Sequence, residues 1–207
     1  MLYYPINLDI RGRKCLVVGG GEVAERKVGV LHACEASVRV VSPRSTERLR
    51  ELARQGRIEL IARGFAAEDL SGAVLVIAAT DDAAVNEQIY RLAEEAGILV
   101  NVVDSPDMCN FIVPATVTRG NLQISVSTGG KSPALAKRIR RELESQYGYE
   151  YEEFVEILGE MRDKVKAKYT NQKDREAAFN RLVESDVLQL LTAGETERAR
   201  ERALECI

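Results

Sequence analysis

Lys14-Cys15-Leu16-Val17-Val18-Gly19-Gly20-Gly21-Glu22-Val23-Ala24 is the stretch that decides the fold, and the Arg26–Lys27 pair stands directly behind it. Cys15–Val18 is a short apolar run of the kind a fully buried parallel strand needs. It stops at three glycines, after which Glu22-Val23-Ala24 opens a helical pattern. Gly19-x-Gly21-x-x-Ala24 has the G-x-G-x-x-A spacing of a dinucleotide-binding turn. In that pattern Gly19 permits the tight turn, and Gly21 lacks the Cβ that would block a pyrophosphate. Ala24 is small enough for the helix to lie close on the sheet. Phosphates would sit on the free N–H groups and positive end of the helix, so Gly19, Gly20, Gly21, Glu22 and Val23 are the first candidate cofactor contacts. The competing reading is a tight βα turn that binds nothing.

Working outward, a helix to about Cys34 is followed by a second strand, Ser37–Val41, which ends at Ser42-Pro43. Ser45-Thr46-Glu47 begins a helix with Leu49 and Leu52 on its apolar side, closed by Gln55-Gly56. Ile58–Ile61 reads as a third strand. Ala73–Ala79 is the most apolar strand and is expected at the centre of the sheet. Thr80-Asp81-Asp82 caps a helix through Val85, Ile89 and Leu92, which Gly97 stops. Ile98–Val103 is a fifth strand ending at Asp104-Ser105-Pro106. This alternation predicts an α/β fold, a doubly wound parallel sheet of the Rossmann type, over residues 1–113. Ligands of such sheets gather outside the carboxyl ends of the strands. Gly19–Gly21, Ser42, Pro43, Arg44, Thr80, Asp81 and Asn101–Asp104 all fall there.

The pattern changes after Asn110. Ala115–Thr118 and Leu122–Ser127 flank Arg119-Gly120-Asn121 and read as a β-hairpin. Thr128-Gly129-Gly130-Lys131-Ser132-Pro133 is then a glycine turn into a helix, with Ser132 as N-cap and Pro133 at the first helical position. Lys131 to Arg141 holds five basic side chains and no acid. That run is either a solvated helix face or an anion site, and the preceding glycine turn favours the anion site. Residues 114–145 therefore form a small β-hairpin/α region. Residues 146–207 are helical throughout, with Phe154, Leu158, Met161 and Val165 in one stripe and Phe179, Leu182 and Val183 in a second helix. Their expected role is packing or dimerisation.

Composition narrows the function. A net charge of −3 excludes a globally basic nucleic-acid binder. No apolar run approaches the roughly 20 residues of a membrane span, and Met1–Pro5 lacks the basic start of a secretory leader, so the expected compartment is cytoplasmic. The four cysteines are far apart and His32 is the sole histidine. Cys15 and Cys34 are expected as small core residues, and no resident metal site is expected.

The stretches Gly19–Lys27, Ala78–Asp82 with Val85-Asn86, Asn101–Asp104 with Phe111–Pro114, and Ser125–Pro133 together resemble the dehydrogenase/ferrochelatase module of siroheme synthase. The resemblance runs along essentially the whole chain, which ends near where fused members continue into a uroporphyrinogen methyltransferase domain, so a stand-alone form is expected. It implies NAD-dependent oxidation of precorrin-2 to sirohydrochlorin and, in many members, insertion of Fe²⁺, a chelation substrate and not a resident cofactor. It implies a homodimer built on the hairpin and helical tail, with the cleft between them and the nucleotide domain. It matches Asp104 to the aspartate implicated in both activities, as proton acceptor and transient Fe²⁺ contact. Read from position alone, Asp104 is equally an aspartate capping its own Asp-Ser-Pro turn. For a polycarboxylate tetrapyrrole, Thr128, Gly129, Gly130, Lys131 and Ser132 are the candidate contacts. Two positions depart from pattern. Ser42-Pro43-Arg44 replaces the acid that holds a ribose 2′-OH, leaving NADP open beside NAD, and Thr128 stands where some relatives carry serine. The rival readings are a dehydrogenase without chelatase activity and a non-catalytic, NAD-sensing dimer.

Overall fold

The computed structural model describes residues 3–207. Met1 and Leu2, at the start of the segment read as carrying no leader, lie outside them. The chain divides into two compact units, Met1–Val113 and Pro114–Ile207.

In the first unit, strands β1 (Lys14–Val18), β2 (Ser37–Val41), β3 (Glu59–Ile61), β4 (Ala73–Ala78) and β5 (Leu99–Val102) form a parallel sheet in the order β3-β2-β1-β4-β5. Successive side chains of a strand point to opposite faces. Cys15 and Val17 of β1 and Leu75 and Ile77 of β4 therefore enter one core, and Leu16, Val18, Val76 and Ala78 the other. Helices α1 (Glu22–Ala33) and α2 (Glu47–Arg54) cover the first face through Ala24, Val28, Leu31, Leu49 and Leu52. Helix α3 (Ala83–Glu95) covers the second through Ile89 and Ala93. Both faces being covered is why β1 and β4 read as unbroken apolar runs. β4 is flanked on both sides, but β1 occupies the middle of the sheet, because strand order reverses there. Cys34 is exposed at the end of α1 and outside the core, whereas Cys15 is fully buried.

The link between β3 and β4 is held by polar groups. Arg63 grips the buried Asp69 carboxylate through two bonds of 2.8 Å, and Asp69 also accepts from Ala66 N–H at 2.9 Å. The Arg63 guanidinium holds the Asp69 carboxyl below the usual carboxylate range.

In the second unit, β6 (Ala115–Arg119) and β7 (Leu122–Val126) pair antiparallel, followed by α4 (Pro133–Gln146). The buried Arg119 guanidinium donates to the carbonyls of Tyr147 at 3.0 Å and Glu144 at 3.1 Å, tying β6 to the carboxyl end of α4. Helices α5 (Glu150–Lys168), α6 (Gln172–Glu184), α7 (Val187–Thr192) and α8 (Thr196–Glu205) share one core. Phe154, Ile157, Met161 and Val165 bury from α5, Ala178 and Leu182 from α6, and Ala199 and Ala203 from α8, at helical spacing. Leu158 and Phe179 lie at its margin, and Val183 is exposed. No helix among the described residues is long and apolar enough to cross a membrane.

Candidate functional site

The carboxyl ends of β1, β2 and β4 meet at the glycine turn. Gly19 N–H donates to Val41 O at 3.0 Å, Thr46 N–H to Gly20 O at 2.9 Å, and Ala79 N–H to Val18 O at 2.7 Å. Gly19 has φ 121°, and a Cβ there would meet the Ala79 carbonyl oxygen at 2.1 Å. A Cβ on Gly20 would lie 2.0 Å from the Arg44 carbonyl oxygen and 2.9 Å from Ser42 Oγ. These two glycines are required by the protein's own backbone. Gly21 is different, because a Cβ there would meet nothing within 4 Å. It is the N-cap of α1, with no side chain capping the helix, and Glu22 and Val23 occupy the exposed first turn. An open Cα beside uncapped helix N–H groups is the cradle a pyrophosphate fits.

Ser42 is buried and its hydroxyl donates to Arg44 O at 2.6 Å, shaping the loop that clasps Gly20. Pro43 and Arg44 are exposed at its rim. Thr80 Oγ1 accepts from Asp82 N–H at 3.1 Å and bonds Asn86 Oδ1 at 2.9 Å. Asp82 caps α3 by accepting from Ala84 and Val85 N–H, while Asp81 is exposed.

Behind β5 the chain folds back on the sheet edge. Asp104 follows it at φ 58°, one of two non-glycine residues among those described with positive φ. For an L-residue that conformation costs on the order of 1 kcal/mol, less for aspartate than for a bulky side chain. Hydrogen bonds on both sides hold it, Val103 N–H to Ala78 O at 2.9 Å and Ser105 N–H to Val102 O at 3.2 Å. The Cys109 thiol lies 3.3 Å from Val102 N, Val102 O and Ser105 O, pinning the backbone that flanks Asp104. Burial pushes that thiol up, against the opposing pull of the Val102 N–H and Lys27. Asn101 Nδ2 donates to Phe111 O at 3.1 Å, so this candidate cofactor contact is engaged in the fold-back. Asn110 completes it by accepting from Val100 N–H at 2.8 Å and donating to Ile98 O at 3.1 Å, as an edge strand's backbone would. The fold-back is a feature that sequence reasoning missed.

Lys27 also went unassigned in the sequence. It lies on α1 with Ala24, Val28 and Leu31, at the i, i+3, i+4 and i+7 positions of the buried stripe. Burial pushes its ammonium below the ordinary lysine value, Arg26 adds to that, and Cys109 and Asp104 oppose it.

In the second unit, the Thr128–Ser132 turn is internally bonded. Ser132 N–H donates to Thr128 Oγ1 at 3.0 Å, Lys131 N–H to Thr128 O at 3.1 Å, and Leu135 N–H to Ser132 Oγ at 3.3 Å. Gly129 and Gly130 take φ 60° and 81°. In the basic run, Arg138 and Arg140 pair with Glu142 and Glu144 on α4 itself. Lys131, Lys137 and Arg141 are exposed and make no ion pair among the described residues.

Comparisons with known proteins agree with this organisation. Residues 6–115 match a family described as "Putative NAD(P)-binding", residues 119–146 "Sirohaem biosynthesis protein central", and residues 150–206 "Sirohaem synthase dimerisation region". The siroheme synthase of Nitrosococcus oceani is 40% identical over 205 residues, covering 99% of this chain and 44% of that protein. That of Nitrosospira multiformis is 42% identical over 212 residues, covering 99% and 45%. The chain thus spans less than half the length of these relatives. The solved structure of SirC, a precorrin-2 dehydrogenase, superposes with a TM-score of 0.80 at 27% identity, covering 98% of this chain and all of that one. With those three segments matched in order, the chain belongs to the family of the siroheme synthase amino-terminal module, which opens with an NAD(P)-binding domain.

Proposed function

We propose that this protein is an NAD-dependent dehydrogenase that oxidises precorrin-2 to sirohydrochlorin, and that it then inserts Fe²⁺ as substrate to give siroheme. The observation that carries the reading is Asp104, fixed in a left-handed conformation where β5 ends, in the unit whose glycine turn fits a dinucleotide. Strained, over-determined residues of this kind cluster at active sites. The likeness to SirC and to the siroheme synthases supports the same substrate class.

The chain's residues divide the work as follows. Gly19 and Gly20 lock three strand ends together, and Gly21 with the first turn of α1 receives the pyrophosphate. When bound, the coenzyme supplies a hydride acceptor. Removing a hydride from the reduced macrocycle requires loss of a proton as well, and Asp104 takes that proton. In chelation the same carboxylate takes pyrrole N–H protons as the iron enters. Thr128, Gly129, Gly130, Lys131 and Ser132 serve the substrate's carboxylates, with Lys131 supplying the exposed cation. Arg44, free of ion pairs among the described residues, tolerates a 2′-phosphate, so NAD and NADP are to be compared directly. The dimerisation segment supports a homodimer.

The test follows absorbance while precorrin-2 and NAD are mixed with the protein, with Fe²⁺ added only afterwards. Wild type is expected to form NADH and then siroheme. Asp104→Asn is expected to bind NAD while kcat falls by about a hundredfold or more. Wild-type turnover by that variant removes Asp104 from the chemistry. NAD binding without NADH formation by the wild type leaves the sensing reading, and NADH formation without metal insertion leaves a dehydrogenase alone.

A further inference from the structure

A carboxylate that serves as a base has to be aimed, and no side chain aims that of Asp104. It is exposed, and among the described residues its carboxylate accepts no hydrogen bond and joins no ion pair. Its direction is therefore set by its backbone, which stands in the left-handed region at φ 58°. Asp104 is the third residue of a four-residue turn, 102–105, closed by Ser105 N–H donating to Val102 O at 3.2 Å. A positive φ at that position is ordinarily left to glycine or asparagine, so an aspartate there needs outside support. Cys109 supplies it. Its Sγ lies 3.3 Å from Val102 N and Val102 O, at the first residue of the turn, and 3.3 Å from Ser105 O, at the last. Asn101 Nδ2 reaches the same sulfur at 3.5 Å, and an antiparallel bridge between Asn101 and Cys109 returns the thiol to the sheet edge. Burial pushes the thiol up, so at neutral pH it keeps its proton. It accepts from Val102 N–H and donates to Val102 O or Ser105 O.

We propose that Cys109 is a positioning residue for Asp104: its thiol joins both ends of the 102–105 turn and so holds the aspartate in the conformation in which it accepts the substrate's proton. The inference rests on the dehydrogenase reading above and deepens it. Each hydrogen bond to a thiol is weak, but these converge on one turn. They come from a residue whose neighbour, Asn110, is itself bonded to β5 and to Ile98 O. Displacing a catalytic group by about 1 Å costs up to about a hundredfold in rate, so a clamp on its backbone is felt in kcat.

The experiment compares Cys109→Ala, Cys109→Ser, Asp104→Asn and the Cys109→Ala/Asp104→Asn double variant, by amide hydrogen exchange and in the precorrin-2 and NAD assay. In Cys109→Ala the Val102 and Ser105 amides are expected to exchange about fivefold faster or more. Its kcat is expected to fall about tenfold or more, while KM for the tetrapyrrole and Kd for NAD stay within about threefold. Cys109→Ser keeps a donor and an acceptor on the same carbon and is expected to restore most of both. The double variant is expected to turn over no more slowly than Asp104→Asn alone, since the thiol acts only through the aspartate. Thermal denaturation checks folding, and Cys109→Val replaces Cys109→Ala if the latter is unstable. Unchanged exchange at those amides, or unchanged kcat, in the alanine variant overturns the inference. So does full additivity in the double variant, or a serine variant as slow as the alanine one. Absence of NADH formation by wild type, or wild-type turnover by Asp104→Asn, is the distinct failure of the underlying reading, recognised because amide exchange in the turn still responds to Cys109.

Discussion

An added Cβ at Gly19 or Gly20 strikes a backbone carbonyl at 2.1 or 2.0 Å, whereas at Gly21 it meets open space. The three neighbours therefore respond differently to the same change. Gly19→Ala and Gly20→Ala must push β4 or the β2–α2 loop aside and are expected to destabilise by about 1–3 kcal/mol, as overpacking does. Gly21→Ala is expected to melt like wild type yet bind NAD at least about tenfold more weakly, because its methyl group occupies the pyrophosphate's space. Denaturation midpoints and NAD titration of the three variants separate these effects. Wild-type NAD affinity in Gly21→Ala would move the phosphates off this turn. The glycine spacing was legible because the turn is local. The half-burial of Lys27 was not, since it depends on how α1 packs on the sheet.

Elements long enough to repeat their period were legible, and those built from exceptions were not. The apolar runs of β1 and β4, the cap at Asp82 and the stop at Gly97 stand in the sequence as local signals. Nothing local marks Asn110, whose side chain stands in for a missing sixth strand by bonding both Val100 N–H and Ile98 O. Such cover matters, because a bare parallel edge invites pairing with another chain. α7 and α8 were legible only as part of the helical tail, because each is too short for a stripe of its own and Gly194 at φ 78° separates them. Asn110→Ala is expected to leave two backbone groups without partners and cost about 1–3 kcal/mol. Hydrogen exchange at the Val100 amide should accelerate by the corresponding factor. A Val100 amide as protected as in wild type would show that the edge does not depend on Asn110.

The whole chain carries separate cores: two on the faces of the nucleotide-type sheet, and a third among the helices of the second unit. A molecule organised in this way is not obliged to unfold in one step. Calorimetry is expected to resolve two transitions with different dependences. Only the transition of Met1–Val113 should respond to NAD, which at a hundredfold over its Kd adds about 2.7 kcal/mol. In a domain of this size that shift amounts to on the order of 10 °C. Only the transition of the second unit should rise with protein concentration, because residues 150–206 match a dimerisation region and association stabilises the folded partner by mass action. Sedimentation at the same concentrations should give twice the 22.9 kDa chain mass. A transition assigned to the helices that ignores dilution, with a monomer in the centrifuge, would separate this chain from the assembly its relatives' dimerisation segment suggests. A transition of the first unit that ignores NAD would instead remove the cofactor from the glycine turn, whatever the helices do.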